Sequence, residues 1–87
     1  MTDSKQVQTA NKFTEIAAKF MANSGQGHYQ MERQGTTLDL AWYEDGSVFY
    51  LTMEITDGQG SRTESAQISS EKVSEELHSF VLNALPS

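Results

Sequence analysis

Residues 37–56 read TLDLAWYEDGSVFYLTMEIT. Leu38, Leu40 and Trp42 alternate with Asp39, Ala41 and Tyr43, and after Asp45-Gly46 the run resumes with Phe49, Leu51, Met53 and Ile55 alternating with Tyr50, Thr52 and Glu54. Apolar residues at period two mark half-buried strands, and Asp-Gly between two such runs is a strong hairpin signal. This hairpin, with strands over residues 37–43 and 48–56, anchors the fold.

Working outward, residues 28–34 carry Tyr29 and Met31 at the same period before the turn Gly35-Thr36. Residues 61–68 form a weaker fourth strand after Asp57-Gly58-Gln59-Gly60. A two-residue Asp45-Gly46 loop pairs Trp42 with Phe49, Leu40 with Leu51 and Leu38 with Met53. A two-residue Gly35-Thr36 loop pairs Tyr29 with Trp42 and Met31 with Leu40. A four-residue third loop pairs Leu51 with Ala66 and Phe49 with Ile68. All three hairpins put the large apolar residues on one face, and a one-residue slip in any of them breaks that agreement.

Two helices flank the meander. Over residues 4–23, Ala10, Phe13, Ala17, Phe20 and Met21 share one face, with Val7 and Ile16 on its flanks. Asp3 or Ser4 is suited to cap the start and Gly25 to close the end in a left-handed conformation. The second helix is expected over residues 70–85, capped by Ser69, with Val73, Leu77, Phe80 and Ala84 buried and Pro86 forbidding continuation. The expected fold is α+β, in the order αββββα, with both helices on one face of a four-stranded antiparallel sheet.

With 87 residues there is room for one core, so residues 1–87 read as one domain. There is no cysteine, hence no disulfide framework and no thiolate chemistry. No apolar run approaches the ~20 residues of a membrane span, and the N-terminus has no basic region followed by an apolar one. A cytoplasmic protein without membrane contact is the expectation. The net charge of −6 lies mainly on the sheet and second helix. It disfavours direct nucleic-acid binding, which draws on Lys and Arg, and it complements a basic protein surface. The same charge also keeps a small domain soluble.

Catalytic chemistry finds little support. His28 and His78 sit in no nucleophile motif, and His78 falls on a polar helix flank. Gly25-Gln26-Gly27 and Gly58-Gln59-Gly60 lack the strand–glycine–helix context of a dinucleotide fingerprint and read as cap and turn residues. No enzyme activity, cofactor or metal is expected.

The outer sheet face holds the candidate binding residues Tyr43, Tyr50, Val48, Glu32, Asp39 and Glu54. In the derived register Tyr43 opposes His28 and Val48, Ala41 opposes Tyr50, and Glu32 opposes Asp39 with Glu54 diagonal. Tyrosines beside small apolar residues are typical of binding surfaces. Opposed carboxylates cost stability unless a cation or a basic partner neutralises them. Nothing supplies a coordinating loop for calcium or magnesium.

A second surface is expected on helix 2. With Val73 at the origin and ~100° per residue, Val81 lies near 80°, Leu85 near 120° and Leu82 near 180°. One sheet cannot cover that arc, so Val81, Leu82 and Leu85 are expected to form a homodimer seam.

In its acidity and its order of elements, the chain resembles small phage-encoded inhibitors of host or defence proteins, and also type III secretion chaperones, although it is shorter than those. The first resemblance implies a protein-binding inhibitor or adaptor, the leading expectation. The second implies a homodimer that holds an unfolded segment. A small enzyme or ligand-binding domain is the third alternative.

Overall fold

The computed structural model describes residues 3–85, with side chains from Val7 onward. The expected cap at Asp3 or Ser4 and the stop at Pro86 lie outside the described side chains. The elements run α1 (Asp3–Asn23), β1 (Gln26–Arg33), β2 (Thr36–Asp45), β3 (Val48–Asp57), β4 (Gly60–Ser69) and α2 (Val73–Ala84). The strands form one antiparallel sheet in the order β1-β2-β3-β4, an open αββββα arrangement.

Both helices cover the face lined by Leu38, Leu40, Trp42, Phe49, Leu51, Met53 and Ile55, all buried. α1 lies over the β1 side, α2 over the β4 side, and the two helices pack against each other. Tyr29 and Met31 point to the same face but are only partly buried, because β1 is an edge strand.

The faces are as the period dictates, but two registers differ from expectation by two residues. Trp42 pairs with Leu51, Leu40 with Met53 and Leu38 with Ile55. Tyr29 pairs with Leu40 and Met31 with Leu38. The reason is where positive φ falls. Gln34 (φ 55°) and Gly35 (φ 83°) form the first loop between paired Arg33 and Thr36, as a type I′ turn requires. Gly46 (φ 68°) opens the second loop, which is Gly46-Ser47 between paired Asp45 and Val48. The third hairpin has the expected register, Leu51 with Ala66 and Phe49 with Ile68, around a tighter Gly58-Gln59 loop. The Asp57 side chain accepts from the Gln59 N–H at 2.8 Å and steadies that loop.

Three local expectations are corrected. Gly25 is not left-handed. It leads into the sheet, its carbonyl accepting from the Glu44 N–H at 2.6 Å, while Trp42 Nε1 donates to the Ser24 carbonyl at 3.1 Å and ties the end of α1 to β2. α2 starts at Val73 because Ser69–Lys72 close a turn, with the Lys72 N–H donating to the Ser69 carbonyl. Ser69 is therefore not the cap residue. Its N–H instead donates to the Glu76 carboxylate at 2.8 Å. At the other end of α2, Arg62 donates to the Ala84 carbonyl, placing a cation at the negative end of the helix dipole.

Candidate docking site on the outer sheet face

The face turned away from the helices is built by the alternate residues of each strand. In the observed register Tyr43 lies directly opposite Tyr50, Ala41 opposite Thr52, and Asp39 opposite Glu54. The tyrosine rings stack with centroids 4.9 Å apart and planes 13° from parallel, and Tyr43 is 52% exposed. Ala41 is short, so the sheet surface sinks beside the pair. An open hollow of about 640 Å³ is lined there by His28, Ala41, Tyr43, Glu44, Tyr50 and Thr52.

The two-residue shift changes the expected pairs. Tyr43 faces Tyr50 and Gln26 rather than His28 and Val48, and His28 faces Ala41. Asp39 faces Glu54 directly, with Gln30 on its other side, while Glu32 faces Thr37. Glu32 is thus diagonal to Asp39, and the directly opposed carboxylate pair is Asp39 with Glu54. Val48 stands opposite Asp45 at the hairpin end, half-buried. The tyrosine pair and the acidic pair lie four residues apart along both strands, ~13 Å at ~3.3 Å per residue. Among the described residues, no group of three or more His, Asp or Glu is placed to hold a metal ion.

The expected seam on α2 is occupied from within the chain. Val81 is 0% exposed, Leu85 is buried and Leu82 packs against the core. The arc that one sheet could not cover is covered by α1, whose Asn11 Oδ1 lies 2.7 Å from His78 Nε2 across the helix pair. His78 is therefore an interhelical contact rather than a solvated flank residue. Val73 and Phe80, expected buried, are only partly buried against the core. Sequence reasoning missed this contact because a helical wheel does not show a neighbouring helix.

A second cleft, about 480 Å³, lies where the end of α1 meets the start of α2, between Met21, Phe49, Glu44, Lys72, Val73 and Glu75. Its walls carry charges of both signs. Among the described residues no helix is long and apolar enough to cross a membrane.

Comparison with protein-family models, with curated proteins and with solved structures gives no match.

Proposed function

We propose that this chain is a non-catalytic protein-binding module, an inhibitor or adaptor, which docks a basic partner surface through the outer sheet face. The observation that carries the reading is the stacked Tyr43–Tyr50 pair, with Tyr43 exposed and Tyr50 half-buried, beside the Ala41 hollow. Paired rings are already ordered, so they lose little conformational freedom on contact, and tyrosine is enriched among residues that dominate interface energies. The opposed Asp39 and Glu54 support a cationic partner, since a Lys or Arg placed between them would relieve their repulsion. The acidity of the chain as a whole would speed the approach of such a partner.

The test is affinity capture with the full chain, repeated with Tyr50→Ala and Asp39→Lys. Both side chains stand on the face away from the core, so both variants are expected to fold. Tyr50→Ala should weaken the captured complex by ~2 kcal/mol or more. Asp39→Lys should slow association, most at low salt. Equal binding by the parent and both variants in a titration would remove the outer face as the docking site.

A further inference from the structure

β1 is an open edge with a free row of backbone groups, and the phase of that row can be read. The type I′ turn closes with Arg33 paired to Thr36, and Gly25, opposite Glu44, accepts from the Glu44 N–H. Odd-numbered residues of β1 therefore direct their N–H and C=O groups to β2, and by the alternation of an antiparallel ladder the even-numbered ones direct theirs outward. Those are Gln26, His28, Gln30 and Glu32, whose side chains all lie exposed on the outer sheet face. The Gln26 carbonyl already accepts from the Ser24 hydroxyl at 2.7 Å and its N–H donates to the same oxygen at 3.4 Å, so the open row is that of His28, Gln30 and Glu32.

The two edges of the sheet differ. β4 points Arg62 and Glu64 toward the helix side, the two joined by an ion pair at 3.7 Å. Inward-pointing charges of this kind protect an edge from pairing. β1 points Gly27, Tyr29 and Met31 that way, with a charge only at its last residue, Arg33, and contains neither Lys nor Pro. Above it, Phe20 of α1 lies 5.7 Å from Tyr29 and remains 49% exposed. The expected burial of Phe20 fails because no strand lies beyond β1 to cover it.

We propose that β1 pairs antiparallel with β1 of a second copy of this chain, about a two-fold axis through Gln30 and perpendicular to the sheet. Such an axis keeps both helix layers on one side and requires residues of equal parity to face each other. Centred on Gln30, the register sets His28 opposite the partner copy's Glu32, Glu32 opposite its His28, and Tyr29 opposite its Met31. It thus joins two imidazole–carboxylate pairs on the outer face and two aromatic–thioether pairs on the inner face. Gln30 meets its own copy in a hydrogen-bonding pair, so the free backbone groups of His28, Gln30 and Glu32 are all satisfied. Shifting the centre to Tyr29 sets Glu32 against Gln26 and Met31 against Gly27, and shifting it to Met31 sets Glu32 against Gln30 and Tyr29 against Arg33. Both shifts lose the two imidazole–carboxylate pairs, and each replaces the two aromatic–thioether pairs with a single inward pair, Tyr29 or Met31 against its own copy.

Charge also selects this side. Over residues 7–33 Lys12, Lys19 and Arg33 outnumber Glu15 and Glu32. The acidic excess lies entirely in the remainder, so two copies meet where their mutual repulsion is least. The result is an eight-stranded sheet carrying two Tyr43–Tyr50 pairs on one face. An edge contact of this kind is small, and a reversible dimer is expected.

Sedimentation velocity of the full chain over a concentration series tests the proposal, with three variants. Gln30→Pro removes an N–H that faces away from β2, a position where edge strands tolerate proline. It should leave a folded monomer by circular dichroism. Glu32→Lys should weaken the dimer at least tenfold. His28→Glu combined with Glu32→Lys restores opposite charges across the axis and should recover dimerisation to within a few-fold of the parent. A parent that sediments as a monomer throughout, a folded Gln30→Pro that dimerises like the parent, or a double variant no better than Glu32→Lys alone would each overturn it.

Discussion

At the residue scale, two side chains determine how tightly the layers close. Gly27 is opposite Trp42, and a Cβ on it would lie 2.9 Å from the indole. Trp42 cannot move aside, since it is buried and its Nε1 is tied to the Ser24 carbonyl. Gly27→Ala is therefore expected to cost about 1–3 kcal/mol, the range for overpacking. As Trp42 is the only tryptophan, its fluorescence reports both the displacement and the unfolding curve. Thr14 poses the opposite case. It is buried at 6% exposure, and among the described residues its hydroxyl finds no hydrogen-bonding partner. Valine has nearly the same shape without the unsatisfied hydroxyl, and the two have similar helix propensity. Thr14→Val is expected to raise stability by about 1 kcal/mol, or roughly 4–8 °C in Tm for a domain of this size, read by thermal denaturation. A melting temperature at or below that of the parent would show that the hydroxyl is satisfied in solution. Neither position stands out in the sequence: Gly27 looks like a turn residue, and Thr14 looks like an ordinary helix-flank residue.

At the scale of elements, the faces of the strands were legible, as were the pairs of the third hairpin, but the pairs of the first two hairpins were not. Period-two alternation of Leu38, Leu40 and Trp42 fixes which side is buried whatever the partner strand does. A slip by two residues preserves that alternation, so the apolar pattern could not distinguish Trp42 facing Phe49 from Trp42 facing Leu51. Backbone conformation at the turns decides it, and Asp-Gly drew the loop one residue too early. The same blindness set Glu32, rather than Glu54, opposite Asp39. The first turn also carries a cost. Gln34 holds φ 55° without being glycine, and left-handed backbone costs an ordinary residue about 1–2 kcal/mol. Asparagine tolerates that conformation, and Asn-Gly is the preferred type I′ pair. Gln34→Asn should recover on the order of 0.5–1 kcal/mol in a denaturant titration with an unchanged slope. A change in slope would mean that the substitution altered the unfolded chain instead.

At the scale of the whole molecule, the second helix was read against one sheet when it is packed against a sheet and a helix. Its wheel correctly showed that Val81, Leu82 and Leu85 exceed what a sheet can cover, and the surplus led to a dimer seam. α1 takes up that surplus inside the chain, so the side left short of cover is the far flank of α1, where Phe20 overhangs β1. The two arrangements separate in an experiment. Total stability for a chain of this length is about 4–13 kcal/mol at ~0.05–0.15 kcal/mol per residue. Val81 is fully buried, so Val81→Ala should remove about 1–3 kcal/mol, a sizeable share of that total. If the valine packs within one chain, the loss is the same at every protein concentration and persists unchanged when Gln30→Pro is added. A helix-2 dimer predicts otherwise, because stability gained by association depends on concentration and diluting the parent would already have released the contact. Equilibrium denaturation of both variants across a wide dilution series decides the matter. A Val81→Ala loss that shrinks on dilution would return the seam to α2.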